Sequence, residues 1–203
     1  MYNATLNSEL RGVARQQLKG NWLGPILALI LYTVIVSAIT SIPIAGIIFC
    51  LLIVGPFTLG ITIYFLKFVR GQQPRIEEIF NGFKLFGESL GLYLLMALFV
   101  LLWTLLLIIP GIIMSFAYSQ AFFILADNPN MKTTDILRTS NAMMKGYKMK
   151  YFLLGLSFIG WSILCVLTIG IGFLWLSPYI KVSFTNFYED VKNAYISNQQ
   201  QEA

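Results

Sequence analysis

The sequence predicts an all-α, polytopic membrane protein with six transmembrane helices, arranged as three helical hairpins that each follow a cytoplasmic amphipathic helix. Hydrophobic residues make up 57% of the 203 residues and charged residues 11%, whereas about a quarter of the residues are charged in soluble domains. The uncharged stretches are too long for single spans, because about 20 helical residues cross a bilayer. A basic, amphipathic segment precedes each uncharged stretch.

The chain opens on a segment with one apolar and one charged side. This pattern recurs at helical spacing and predicts an amphipathic helix that lies along the membrane surface. The apolar side consists of Leu6, Leu10, Val13, Ala14 and Leu18, and the charged side of Glu9, Arg11, Arg15 and Lys19.

The first hairpin is predicted between Trp22 and Leu66, where no residue is charged and the length suits two spans. Ser41-Ile42-Pro43, together with Gly46, is expected to form the turn, because proline and glycine interrupt helices. Gly55-Pro56 predicts a kink in the returning helix.

The second unit repeats this order. Its amphipathic helix has an apolar stripe of Ile76, Ile79, Phe80 and Phe83, opposed by Glu77, Glu78, Asn81 and Lys84. The run from Leu90 to Ala126 has no ionisable side chain other than tyrosine. Pro110-Gly111 lies in the middle of this run and is expected to be the turn of the second hairpin.

The third unit starts after Asp127-Asn128-Pro129. A surface helix is expected to begin at Thr133, Thr134 or Asp135, since these residues favour helix starts. Its inner side is predicted to consist of Ile136, Leu137, Ser140, Met144 and Tyr147. The last hairpin runs from Tyr151 to about Phe187, with a turn at residues 168–172 and a kink near Ser177-Pro178.

These three units form one membrane domain, residues 1–203, with repeat-like units at 3–70, 71–128 and 129–192 and a polar tail at 193–203. Leu18-Lys19-Gly20, Leu85-Phe86-Gly87 and Met144-Lys145-Gly146 occupy matching places before the three hairpins. Identity between the units is low, so chance similarity of apolar sequence is the alternative.

The basic residues predict the orientation. Three lie before the first hairpin, four between the first and second, and five between the second and third; Lys181 lies in a span and Lys192 in the tail. None lies in a hairpin turn. The positive-inside rule therefore places both termini in the cytoplasm, in a multi-pass protein of the cell membrane.

The inventory of reactive groups argues against an enzyme. The chain has no histidine, so it lacks imidazole for general base catalysis or for metal ligation. Glu77-Glu78 and Glu189-Asp190 are interpreted as solvated helix charges, because adjacent carboxylates on a helix point apart. Cys50 and Cys165 are interpreted as small apolar residues. We expect no metal, no cofactor and no nucleic-acid partner.

Two groups of residues are candidates for contacts with lipid. Lys181 is costly within a span, and Tyr179, Asn186 and Tyr188 are near enough to join it around an anionic lipid or a substrate. The alternative is that Lys181 extends to the interface without a ligand. Candidate headgroup contacts are Arg11, Arg15, Lys19, Arg70, Lys145, Lys148 and Lys150.

Three segments carry a resemblance to a known family: PYIKVSFTNFYED at residues 178–190, PGII at 110–113 and FILADNP at 123–129. They resemble small multi-pass proteins of Gram-positive bacteria that form the domain of unknown function nine-seven-five. More distantly, the chain is similar to the membrane domain of some glycerophosphodiester phosphodiesterases. The resemblance implies a fold and a plasma-membrane location, and no catalytic residues.

The leading hypothesis is a non-catalytic scaffold or accessory protein of envelope or lipid physiology. Its cytoplasmic helices would contact anionic membrane lipids and a protein partner or a second copy of the chain. The alternative is a small transporter or lipid-moving protein with a site near Lys181.

Overall fold

Every regular element that the structure describes is a helix. The structure is a computed structural model that describes residues 5–42 and 45–202, with the backbone alone at 45–50, 201 and 202. In chain order the elements are α1 (Asn7–Leu18), α2 (Leu23–Thr40), α3 (Ala45–Val69), a 3-10 helix (Ile76–Leu85), α4 (Phe86–Leu106), α5 (Ile108–Ala117), α6 (Ala121–Asp127), α7 (Thr133–Met143), α8 (Lys148–Leu156), α9 (Ile159–Leu167) and α10 (Phe173–Glu202). The predicted all-α class is confirmed.

Several described segments are long and apolar enough to cross a membrane. There are five of them: Leu23–Thr40, Leu51–Val69, Ile76–Leu106, Ile108–Asp127 and Lys148–Leu167. The sixth predicted span falls on α10, which does not reach this hydropathy because polar and charged residues fill its second half. α10 also continues through the predicted tail to Glu202.

Apolar side chains face outward over much of the molecule. Residues 105–109, around the second turn, leave between 63% and 83% of their surface exposed, and Ile169 in the third turn leaves 94% exposed. Water would not be a favourable solvent for such a surface, since large exposed apolar patches mark contact with a membrane or another protein. These residues fit a lipid environment.

The turn positions agree with the sequence in one hairpin and differ in another. Residues 168–172 form the third predicted turn, where Ile169 and Gly170 have φ values of 55° and 83°. In the second unit the prediction at Pro110-Gly111 is wrong. The helix breaks at Leu107, and Pro110 lies in the first turn of α5, where a missing N–H costs no hydrogen bond.

The first turn is described only in part. Ser41 and Ile42 lie between α2 and α3 as predicted, whereas Pro43 lies outside the described residues. Gly46, assigned to the turn from the sequence, belongs to the first turn of α3. Pro56 and Pro178 both lie inside helices, in α3 and α10; the kinks expected there stay predictions.

The apolar sides of the three amphipathic segments pack against protein in part, and Leu6, Val13 and Phe80 stay exposed. Leu10, Ala14 and Leu18 of α1 are buried, and α1 lies on α10 and α8. α7 begins at Thr133, within the predicted range, and packs on α4, α5, α6 and α10. Amphipathicity shows that one side is covered, but does not show whether lipid or protein covers it.

The second amphipathic segment is a 3-10 helix rather than the predicted α-helix. It lies so close to α3 that a Cβ atom at Gly60 would be 1.7 Å from the carbonyl oxygen of Ile79. A Cβ atom at Gly82 would be 1.9 Å from the carbonyl oxygen of Pro56. Two glycines, one on each helix, therefore permit contact between the two backbones.

α10 lies at the centre of this arrangement and contacts α1, α2, α3, α7, α8 and α9. Its largest buried side chains, Phe187 and Tyr188, join the main hydrophobic core. Its buried polar residues are Ser183, Thr185, Asn186 and Asp190. Polar groups are thus enclosed by protein on the helix that the other elements surround.

Candidate functional site around the last helix

One end of the bundle is held by a cluster of ion pairs, here called the Asp127 cluster: Arg70, Asp127, Tyr188, Glu189 and Lys192. The guanidinium of Arg70 lies 2.8 Å from Asp127 and 2.7 Å from Glu189. Lys192 Nζ lies 2.6 Å from Asp127 Oδ2, and the Tyr188 hydroxyl donates to the same oxygen at 2.9 Å. The cluster therefore joins the ends of α3 and α6 to the second half of α10.

The hydroxyl of Tyr188 is a donor in this cluster at every physiological pH. Burial and the neighbouring Asp127 carboxylate both raise the pKa of Tyr188. The hydrogen bond from Arg70 to Asp127 raises the pKa of Arg70 further above its ordinary value. The cluster consequently keeps its charges and donors fixed rather than exchanging protons.

A second ion pair lies one residue further along α10. Lys150 Nζ at the start of α8 lies 2.7 Å from Asp190 Oδ2, and the Asp190 side chain is only 4% exposed. Burial alone raises the pKa of Asp190, but the hydrogen bonds from Lys150 and Thr5 outweigh it, so the pKa lies below its ordinary value. Asp190 is ionised, and it fastens both α8 and the N-terminal segment to α10.

A side-chain pair of amides connects α1 to the same helix. Asn186 Nδ2 donates to Gln17 Oε1 at 2.7 Å, and Gln17 Nε2 donates to the carbonyl oxygen of Val69 at 3.1 Å. Two neutral amide side chains that hydrogen-bond to each other can be buried without leaving those polar atoms unpaired. Through Gln17, α1 is tied to both α3 and α10.

An apolar cleft, the tryptophan cleft, opens beside the first half of α10. It has a volume of about 530 Å³ and lies between α1, the start of α2, α9 and α10. Its walls include Trp22, Trp161, Cys165, Trp175 and Tyr179, and its one charged lining residue is Arg15. The guanidinium carbon of Arg15 lies 5.9 Å from the centre of the Tyr179 ring.

A second cleft, the lysine cleft, lies on the other side of α10. It has a volume of about 550 Å³ and is formed by α2 residues such as Leu29 and Thr33 and by Ser177 and Lys181 of α10. Lys181 is exposed, and it forms no ion pair with any described carboxylate. The two clefts flank the same helical segment.

Lys181 and the three residues expected around it have different surroundings. Tyr179 lines the tryptophan cleft, whereas Lys181 lines the lysine cleft. Asn186 pairs with Gln17, and Tyr188 donates to Asp127. Residues close in sequence on a helix point to different sides, so proximity along the chain did not produce a shared site.

The candidate headgroup contacts differ in their pairing and exposure. Arg70 and Lys150 are engaged with carboxylates in ion pairs. Arg15, Lys19 and Lys145 are exposed. Arg11 is half-buried, and Lys148 reaches only Asn141 Oδ1, at 3.4 Å.

Sequence reasoning missed the carboxylates of this site. Glu189 and Asp190 were interpreted as solvated charges, but Asp190 is buried and Glu189 pairs with Arg70. Asp127, placed only as the end of a hairpin, accepts hydrogen bonds from three residues. The available signal was the presence of both acidic and basic residues at the ends of the apolar runs, where partial burial favours pairing.

Comparison with other proteins identifies a family but no characterised relative. No curated protein and no solved structure matches the chain significantly. The more distant similarity to glycerophosphodiester phosphodiesterases therefore stays a prediction. A family profile, by contrast, matches residues 1–113 and 104–195, which together extend over nearly the whole chain. The chain belongs to the family described as "Protein of unknown function (DUF975)".

Proposed function

We propose that this is a non-catalytic, six-span protein of the cell membrane, in which the end of the bundle that carries the charges faces the cytoplasm and binds anionic lipid headgroups. The observation that supports this is an imbalance of pairing. Most described carboxylates are engaged in ion pairs, whereas basic residues such as Arg15, Lys19 and Lys145 form none with a described carboxylate. The uncompensated positive charge suits an anionic surface.

The first half of α10 supplies the sixth span in this proposal. Several of the polar residues that lower the hydropathy of α10 are buried in protein: Ser183 is 0% exposed and Thr185 is 1% exposed, and Asn186 and Asp190 are also buried. Their hydroxyls donate to backbone carbonyl oxygens one turn earlier, at 2.8 and 2.9 Å. A hydropathy average treats such residues as if they faced lipid. It therefore underestimates how well a helix that other helices enclose is suited to cross a membrane.

Both termini lie in the cytoplasm in this proposal. The Asp127 cluster brings the end of α3, the end of α6 and the second half of α10 together, and Lys150 adds the start of α8. Two crossings between successive points of this kind return the chain to the same side of the membrane. The positive-inside rule assigns that side to the cytoplasm.

Labelling of single cysteines tests this orientation. In a chain with Cys50 and Cys165 replaced by alanine, we expect Lys145→Cys to react with a membrane-impermeant maleimide only after the cells are permeabilised. Ser41→Cys, in the first turn, is expected to react in intact cells. Reaction of Lys145→Cys from outside intact cells, at the rate of Ser41→Cys, would contradict the orientation.

Lipid that co-purifies with the protein tests the binding proposal. After mild solubilisation, we expect anionic phospholipid to be enriched over its share in the membrane. Replacing Lys19, Lys145 and Lys148 together with glutamine should lower this enrichment several-fold, since each basic residue near an anionic surface contributes about 1 kcal/mol. The measurement is quantitative mass spectrometry of extracted lipid.

The matched control keeps the charge and changes the side chain: arginine at the same three positions should retain the enrichment. Enrichment that is absent from the unaltered protein, or equal in the glutamine and arginine variants, would exclude charge-driven lipid binding. Within this proposal the protein acts as a scaffold or accessory factor in envelope or lipid physiology, through contacts with a protein partner as well.

A small transporter or lipid-moving protein with its site near Lys181 is the second candidate. The lysine cleft favours it, because this cleft places an ammonium group with no described carboxylate partner beside an apolar groove. The candidate differs from the first in requiring a ligand that moves between leaflets rather than one that stays bound.

A further inference from the structure

We propose that the tryptophan cleft is a binding site for a single anionic amphiphile, with its acyl chain against the tryptophans and its acidic headgroup on Arg15. This inference rests on the proposed function and deepens it, since it assigns one discrete lipid site within a protein that otherwise contacts headgroups along its charged end.

The shape of the cleft suits a chain rather than a compact solute. Its lining extends from Gly172, the residue directly before α10, to Tyr179 on α10, a rise of about 10 Å at helical geometry. Its volume of about 530 Å³ lies within the range of about 300–1,000 Å³ that is typical of small-molecule sites. The cleft is therefore long enough to hold part of an acyl chain along the helix axis.

The chemistry of the walls selects an apolar ligand. Three of the four tryptophans of the chain, Trp22, Trp161 and Trp175, line this cleft, together with Tyr179 and the buried Cys165. Trp161 and Trp175 leave 51% and 50% of their surface exposed. Indole rings combine a large apolar face with one N–H donor, as is common for residues at the edge of a bilayer.

Charge complementarity selects the headgroup. Arg15 is the one charged residue in the cleft lining, and it forms no ion pair with any described carboxylate. Its guanidinium is held near the Tyr179 ring at 5.9 Å, which places it over the end of the cleft. A planar guanidinium binds phosphate in a bidentate manner, so an anionic phospholipid fits better than a zwitterionic one.

The positions of the tryptophans provide an assay. Trp103 lies on α4 and is not part of the cleft lining. The tryptophan fluorescence of a Trp103→Phe variant, the cleft reporter, therefore comes from the cleft alone. The fluorescence of a chain with phenylalanine at positions 22, 161 and 175, the Trp103 reporter, comes from Trp103 alone. Both variants are titrated in detergent micelles with phosphatidylglycerol or phosphatidylcholine that carries brominated acyl chains, which quench tryptophan fluorescence on contact.

For the cleft reporter we expect quenching that saturates at a low mole fraction of brominated phosphatidylglycerol, and about tenfold weaker binding of brominated phosphatidylcholine. The Trp103 reporter should respond to both lipids only in proportion to their mole fraction. Arg15→Gln in the cleft reporter should weaken the phosphatidylglycerol response about tenfold. Lys84→Gln is the matched control, because Lys84 is also exposed and forms no ion pair with a described carboxylate, but lies outside the lining.

The results separate this inference from the proposed function. Equal responses to the two lipids, equal shifts in the Arg15 and Lys84 variants, or a second copy of the chain protecting Trp161 in a dimer would each overturn the discrete site. If that happens while anionic lipid still co-purifies, only the cleft is excluded. Saturable, Arg15-dependent quenching without bulk enrichment would exclude the wider headgroup binding and retain the cleft.

Discussion

Replacing Gly60 or Gly82 with alanine is expected to lower the stability of the protein more than the same replacement at any other described glycine. The added Cβ atom would meet a backbone carbonyl oxygen at 1.7 Å in the first case and at 1.9 Å in the second. Neither oxygen belongs to a flexible side chain, so α3 and the 3-10 helix must move apart. Overpacking of a core costs about 1–3 kcal/mol, and a clash between backbones should reach or exceed the upper value.

The measurement is the thermal unfolding midpoint in detergent, which should fall by about 6–12 °C or more. Gly12→Ala and Gly87→Ala are the matched controls, because a Cβ atom at either position meets nothing within 4 Å. These controls should leave the midpoint unchanged or raise it slightly, since alanine favours helix. A Gly60→Ala protein as stable as Gly87→Ala would show that the two helices do not pack as described.

Asparagine at Asp127 is expected to weaken the connection between α3, α6 and α10. The Asp127 side chain is 10% exposed and accepts hydrogen bonds from Arg70, Lys192 and Tyr188. Loss of the charge leaves Glu189 as the carboxylate paired with Arg70, and it removes the carboxylate that pairs with Lys192. Arg70 and Lys192 are about a third exposed, so solvent screens part of the loss, and we expect about 1–3 kcal/mol.

A double-mutant cycle identifies the pair rather than the single residue. Asp127→Asn and Lys192→Met should each destabilise the protein, and the combination should cost less than the sum, because contacting residues are not additive. Glu88→Gln is the control, since Glu88 is exposed and pairs with no described cation. An effect of Asp127→Asn no larger than that of Glu88→Gln would mean that the cluster contributes no stability.

The Asp127 cluster also bears on the proposed lipid site. It anchors the second half of α10, whereas the first half of the same helix forms a wall of both clefts. The ion pairs therefore fix the helix that carries Trp175 and Tyr179. The same helix, α10, thus connects the charges at one end of the bundle with the apolar grooves along its length.

The prediction of helices and of the third turn succeeded because both depend on local patterns. A long run without charge predicts a spanning helix, and Ile169-Gly170 with adjacent small residues predicts a reversal. The turn at Leu107 escaped prediction because a proline is tolerated in the first turn of a helix as well as in a loop. Sequence position alone does not distinguish these two cases.

The amphipathic segments show a different limit. Leu10, Ala14 and Leu18 were correctly assigned to one covered side, which packs on α10, whereas Leu6 and Val13 of the same predicted side are exposed. The 3-10 helix depends on Gly60, which lies 16 residues before its start at Ile76. No window of local sequence contains both partners of such a contact.

By itself the sequence determined the helical class, the apolar surface and the concentration of formal charge beside the ends of the apolar runs, since each follows from the solvent that a side chain prefers. Only the tertiary structure decided that Asp127, Glu189 and Asp190 are paired, that Lys181 and Tyr179 line separate clefts, and that Arg15 ends one of them. Those facts depend on distances between segments far apart in the chain, and such distances are set by how whole helices pack.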